Sequence, residues 1–480
     1  MKRFFLSAKS IIAASLLFIS LAFGPAGNSF AQSYPEPLRE SLLNGLRVLI
    51  WSQPNNPKIY IKLRIQSGAA FDPVGKAGTM ALLSDMFFPE EGIKSFYTEE
   101  LEGELKVTFD QDSITISASG NAEEYDRIIG TLQSAIINTP INDENLKRLR
   151  EERLKPINEA EKTSALIADR AVLSRLFRNF PYARPSAGEI DSLNRIDRVD
   201  LQFARERFLK ADNATLTIVG GISSNKVLRS LRTKLGSWSK GDRPIQQAFS
   251  QPDAPDAKTL IIEANNNEKS EIRLAVRGLA RADSDYAAAM ILTMIAQERL
   301  RTALPEADQS VFARHEAHVL PGFFLVGANV PVSKASQTIE TTKKVLSELA
   351  TKEPSTTEFE RAKSEFIKSF SEQLSDPKTL ADFYLDKDTF RIQASPAEAL
   401  KATNNLKPSD IRRVAARLFT NTAFASVAVG NISQLKDELA KSGNGVEVFG
   451  EKVTPQPIPT PQEDKKKPTQ TLLLKPVGKP

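Results

Sequence analysis

Cysteine is absent from the 480 residues and histidine occurs twice, as His315 and His318. Without thiols there is no disulfide, no thiolate nucleophile and no Cys-ligated zinc or iron–sulfur centre. Any imidazole chemistry has to be built within one four-residue stretch. Long apolar runs are scarce as well. Residues 11–23 form an apolar run shorter than the roughly 20 residues that span a bilayer, and no later segment is long and apolar enough to do so. Charge of one sign is also lacking: 64 Lys and Arg stand against 59 Asp and Glu, and the small excess lies at the two ends. The body, residues 32–450, carries a net charge of −1. A nucleic-acid binder needs a basic body, so that class is excluded. What remains is an ordinary globular composition, 41% hydrophobic and 26% charged, in a chain long enough for two or three domains.

At the amino terminus Lys2, Arg3 and Lys9 precede the apolar run, and Ser29-Phe30-Ala31 places small residues at −3 and −1. This is the order of a secretory signal peptide, 1–31, with the cut expected between Ala31 and Gln32. The mature chain would be an exported protein in the periplasm or outside the cell, with no transmembrane span. At the other end, 451–480 carries Pro at 455, 457, 459, 461, 468, 476 and 480 around Lys465-Lys466-Lys467. Such a Pro/Lys-rich tail is expected to be extended and disordered.

The body repeats itself. Ile196-Asp197-Arg198-Val199-Asp200 introduces a helical pattern with Leu201, Ala204 and Phe208 on one face, then an apolar run ending at Gly220-Gly221-Ile222. At an offset of 210 residues, Leu406-Lys407-Pro408-Ser409-Asp410 leads into Ile411, Val414 and Leu418, then a run ending at Gly430-Asn431-Ile432. Asp200 and Asp410 keep that offset, as do Arg207 and Arg417. Each Asp falls where a helix begins and backbone N–H groups lack partners. A period this long means duplicated domains rather than a solenoid. We place them at 34–240 and 258–450, joined by a polar linker, 241–257.

Within the first domain Ile59, Ile61, Leu63 and Ile65 alternate with Tyr60, Lys62, Arg64 and Gln66, the pattern of a strand with one wet face. Residues 112–118 alternate similarly. Residues 75–88 have Met80, Leu83 and Phe87 at helical spacing, and 143–157 and 164–177 read as long charged helices. The fold class is α+β: two duplicated domains, each a mainly antiparallel sheet with helices packed on one face.

Leu43-Asn44-Gly45-Leu46-Arg47-Val48, then Pro54, Gly68 and Asp72-Pro73-Val74-Gly75, resembles the opening of the pitrilysin/insulinase zinc peptidases, in their half-length, processing-peptidase form. Phe180-Pro181-Tyr182-Ala183-Arg184-Pro185, Gly188, Asp283-Ser284-Asp285-Tyr286 and Arg299-Leu300 extend the resemblance over nearly the whole mature chain. It implies a zinc cofactor held by His-x-x-Glu-His: two imidazoles one turn apart bind the metal and the Glu activates its water. Registered on Gly78 and Met86, those five positions read Ala81-Leu82-Leu83-Ser84-Asp85. Both ligands and the base, at Ala81, Ser84 and Asp85, are missing, and the first domain has no His to replace them. Glu152 falls near the family's downstream carboxylate ligand. The substrate-holding Arg and Tyr of the family's second half become Pro305 and Phe312, and no Gly-rich loop precedes them.

One weak metal candidate is left, His315-Glu316-Ala317-His318. It reads as a surface or cleft-lining strand, on which residues three apart face opposite ways. The resemblance therefore implies a catalytically inactive homologue that does not cleave by itself. It would pair as a heterodimer with an active zinc-peptidase homologue and enclose unfolded peptide. Two alternatives stay open: a binding or scaffold protein of the cell envelope that keeps only the fold, and a zinc endopeptidase with unorthodox ligands.

Overall fold

The computed structural model describes residues 34–450, apart from 244, 246–248, 265–267, 442 and 444. The leader 1–31 and the tail 451–480 lie outside the described residues. Twelve strands form two sheets of six. The first contains β1 (Leu38–Ser41), β2 (Arg47–Ser52), β3 (Lys58–Ile65), β4 (Leu105–Phe109), β5 (Ile114–Asn121) and β6 (Ala214–Gly220), in the order β1-β2-β6-β3-β5-β4. The second contains β7 (Thr259–Glu263), β8 (Lys269–Arg277), β9 (Phe312–Glu316), β10 (Phe323–Pro331), β11 (Ala425–Gly430) and β12 (Val446–Val448), in the order β12-β7-β11-β8-β10-β9.

Five strands of the two orders correspond, β2-β6-β3-β5-β4 with β7-β11-β8-β10-β9, so the repeat seen in the sequence is a repeat of architecture. Most pairings are antiparallel; β2 with β6, β7 with β11, and β7 with β12 are parallel. The outermost sixth strand differs in origin. β1 is an amino-terminal hairpin arm, whereas β12 arrives from the carboxyl side of its half. The repeated helices Arg198–Phe208 and Pro408–Phe419 start as expected: Asp200 accepts from the Asp197 N–H and Asp410 from the Lys407 N–H, each at 2.9 Å.

Helices do not cover one face only. In the first sheet Val48 and Ile50 of β2 enter the core of their own half, while Leu49 and Trp51 meet Leu380, Phe383 and Tyr384 of the second. In the second sheet Phe324 and Val326 face their own helices, and Phe323 and Leu325 pack on Val172, Leu176 and Phe177 of the first half. Each half thus lends one helix, Ser164–Phe177 or Pro377–Phe390, to the open face of the other's sheet. This is why the central strands β6 and β11 are buried at every residue.

The alternation in β3 therefore has a different meaning from a wet face. Lys62 Nζ lies 2.6 Å from Asp382 and Arg64 Nη1 2.7 Å from Asp386, both on the lent helix. The reciprocal contact is Arg273 of β8 with Asp169 of the other lent helix, at 2.5 Å. A period of two distinguishes two faces of a strand, but a charged partner surface selects the same residues as water.

Candidate functional site

The helix Thr79–Asp85 carries the motif positions. Asp72 sets its start, accepting from the N–H groups of Gly78 at 2.6 Å and Met80 at 2.8 Å. Burial pushes the Asp72 carboxyl up to about 7, against those two N–H groups and Arg184. Gly78, at φ +98°, approaches Gly188 so closely that a Cβ on Gly78 would stand 2.9 Å from the Gly188 Cα.

On this helix Ala81 is fully buried and presents a methyl group. The Ser84 hydroxyl is buried and donates to the Ala81 carbonyl at 2.6 Å. Asp85 is held by Arg153, which donates from Nε at 2.8 Å and from Nη2 at 2.5 Å, and also reaches the Ala81 carbonyl at 3.2 Å. Burial raises the Asp85 pKa even though Arg153 opposes it. The Arg153 guanidinium stacks 4.8 Å from the Phe109 ring centre, and its side chain is 11% exposed. A fixed organic cation fills the space beside the motif.

Arg153 comes from the helix Asp143–Ala160. Its neighbour Glu152, near the position of the family's downstream carboxylate, turns outward to Arg148 at 2.9 Å and is 48% exposed. The structure does bring Glu152, Ser84 and Asp85 to one cleft of about 550 Å³, which also takes in Leu105 and Val107 of β4 and Gly188. Opposite charge is the signal in the sequence. An Arg beside Glu152 on the same helix is the natural partner for an Asp in a His position.

A methyl group, an occupied hydroxyl and a carboxylate bonded to arginine do not fit zinc, which takes three protein ligands even at an open catalytic site. Among the described residues, no group of three His, Cys, Asp or Glu side chains is arranged to hold a metal ion.

The second-half positions carry neither a guanidinium nor a phenol. Pro305 begins the short turn Pro305–Ser310. Phe312, on edge strand β9, packs against the core between the halves, with the Arg273 guanidinium 5.1 Å from its ring centre.

The His-Glu-Ala-His stretch departs from the sequence reading. β9 ends at Glu316, the chain turns, and both imidazoles are buried rather than set on a surface or cleft-lining strand. His315 Nε2 accepts from the Leu279 N–H at 3.0 Å, and burial, with the neighbouring His318 charge, pushes its pKa down to about 4. His318 bridges the halves. Its Nδ1 lies 2.8 Å from Asp112 of the first half and its Nε2 3.3 Å from Glu316. Burial pulls its pKa down, but these two carboxylates prevail and hold it up to about 9. Tyr182 donates to the other Asp112 oxygen at 3.1 Å and accepts from the Leu320 N–H at 3.2 Å. His318 thus belongs to a structural latch between the halves, whereas His315 is tied within its own half.

The insulinase (peptidase family M16) model matches residues 47–189, and the peptidase M16 inactive-domain model matches residues 195–366. The chain belongs to the insulinase family. The mitochondrial-processing peptidase subunit beta of Lentinula edodes is 22% identical over 426 residues, covering 83% of this chain and 90% of that one. A solved peptidase M16 inactive domain from Pseudomonas fluorescens has the same fold at a TM-score of 0.74 and 18% identity, covering 82% and 98% of the two chains. A chain of the Candida albicans complex III2 structure does so at 0.70 and 14%, covering 85% and 100%. Among the described residues of this insulinase homologue, no helix is long and apolar enough to cross a membrane.

Proposed function

We propose that this chain is an exported, non-catalytic member of a pair, working with an active zinc-binding homologue to enclose and process unfolded peptide. The observation that carries this reading is the filled motif site: Arg153 neutralises Asp85 beside a methyl group at position 81. With Ser84 tied to its own helix, no group in that place binds a metal and activates its water. Glu152 is a single carboxylate, too few donors for zinc.

The chain keeps what a chamber wall needs. The two halves exchange helices across both sheets, which makes them one frame. The free edge of β4 borders the cleft at Leu105 and Val107 and offers backbone groups along which an extended peptide adds as a further strand. Relatives that are subunits of larger assemblies, a processing-peptidase beta subunit and a complex III2 chain, support the pairing. The amino-terminal charge–apolar–small-residue order supports export with a start at Gln32.

The test of assembly is co-expression with the His-x-x-Glu-His homologue encoded in the same genome, followed by size measurement. A single species of one copy each is expected, with an interface above about 1,200 Å². Separate elution at micromolar concentration would leave the envelope-scaffold reading in its place.

A further inference from the structure

The duplication supplies an internal control for one surface. In the second half, Arg413 and Arg417 on the helix Pro408–Phe419 are bound by acids of the loop after β8: Arg413 to Asp285 at 2.7 Å and Arg417 to Asp283 at 2.8 Å. That surface is closed by its own ion pairs.

The first half is built differently at the same place. The helix Arg198–Phe208 carries Phe203 and Arg207 where its counterpart carries Arg413 and Arg417. The loop after β3 presents Val74. Phe203 is 58% exposed, Val74 98%, and Val199, one turn before Phe203, 65%. All three line one cavity of about 980 Å³, whose floor is made by Phe71, Phe208 and Phe249. Exposed apolar groups that converge on a concave aromatic floor mark a binding surface rather than scattered exposure.

The charges at this cavity name the partner's chemistry. Arg207 rests on the Phe208 ring, 5.6 Å from its centre, and has no carboxylate partner among the described residues. Arg178 and Arg184 also line the cavity and, among the described residues, donate to backbone carbonyls, with Arg184 also near the Asp72 and Glu189 carboxylates. Asp72 is taken by the backbone of Gly78 and Met80, and Asp200 by Lys76. Asp253 is the one lining acid without such a partner among the described residues. The cavity shares Phe203 and Arg207 with an adjoining hollow of about 500 Å³, lined also by Lys210 and Arg243 and by Glu206 and Asp242, so the surface is elongated. That shape suits a peptide segment.

We propose that this groove docks an amphipathic segment of a partner protein, with apolar side chains seated among Phe203, Val199 and Val74 and acidic side chains meeting Arg207, Arg178 and Arg184. The inference goes beyond the peptide-processing reading and stands whether or not the chain has an active homologue as partner.

The test uses the full mature chain and a fluorescein-labelled helical peptide of about 18 residues, with Leu and Phe at i, i+3, i+4 and i+7 and Glu elsewhere. Fluorescence anisotropy should show saturable binding. Replacing every Glu of the peptide by Lys should weaken it at least tenfold. The double variant Val74→Asp with Phe203→Arg copies the second half's ion pairing onto this surface. It should lose binding at least tenfold while keeping the parent's circular dichroism and melting temperature. Absence of binding, or equal binding by parent and double variant, overturns the proposal. So does a chain that is dimeric in solution and becomes monomeric in the double variant, because the groove would then be an interface between copies.

Discussion

Arg153 Nε donates to Asp85 Oδ2 at 2.8 Å, bringing a cation from the 143–160 helix to the last residue of the motif helix. In zinc-binding members that motif position is a histidine and the neighbouring charge is a metal ion. Here both partners are carried by the chain itself, so the local charge balance closes without a ligand. A fixed guanidinium against a partly buried carboxylate also repels a second cation.

Replacing Arg153 by Met should therefore destabilise the fold by about 2 kcal/mol, because it strands Asp85 without its counter-charge. Adding Asp85→Asn should recover most of the loss, since the remaining pair is uncharged. Urea unfolding of the four proteins in the cycle measures this, and an Arg153→Met cost below about 0.5 kcal/mol would contradict it.

The reciprocal ion pairs between the halves should not be equal. Arg273 is 3% exposed and Asp169 21%, while Lys62 and Asp382 are 25% and 31%. Asp169→Ala leaves the buried Arg273 guanidinium with Glu271 as its one carboxylate among the described residues, also frees Arg314, and should cost about 2–3 kcal/mol. Asp382→Ala should cost about 1 kcal/mol, because water reaches the freed ammonium. Thermal unfolding of the two variants side by side tests the order.

The latch at His318 has a defined pH signature. Its pKa in the fold, about 9, lies above the ordinary imidazole value, so the contribution is complete below about pH 6.5 and is lost as pH rises through 9. Asp112 and Glu316 face its two nitrogens, and Tyr182 shares Asp112. Stability measured against pH should fall more steeply between 6.5 and 9.5 in the parent than in His318→Gln. His315, neutral in the fold with its pKa down at about 4, acts the other way: its stabilisation is present above pH 6.5 and fades below it. Parallel profiles for parent and His318→Gln would show that His318 carries no extra proton in the fold.

Much of this was legible in the sequence where one physical cause sets the pattern. The β3 alternation, the 164–177 helix and the repeat of Asp200 and Asp410 all follow from local periodicity and helix starts. The exchanged helices were not legible, because Lys62 and Arg64 have the same polarity whether they face water or Asp382 and Asp386. At the motif, distance along the chain located the right helix but not its face. One residue is about 100° of helix, enough to exchange the outward Glu152 for the inward Arg153. His315 does lie on β9, but nothing local signals that its ring turns inward to the Leu279 N–H, or that the strand stops at Glu316 and carries His318 to Asp112.

The most direct measurement is the rate of unfolded-peptide cleavage, with zinc supplied, by this chain alone, by its His-x-x-Glu-His homologue alone, and by the two together. No cleavage by this chain is expected, and a rate for the pair several times that of the homologue. Chelator-sensitive cleavage by this chain alone would contradict this, as would a mixture no faster than the homologue by itself.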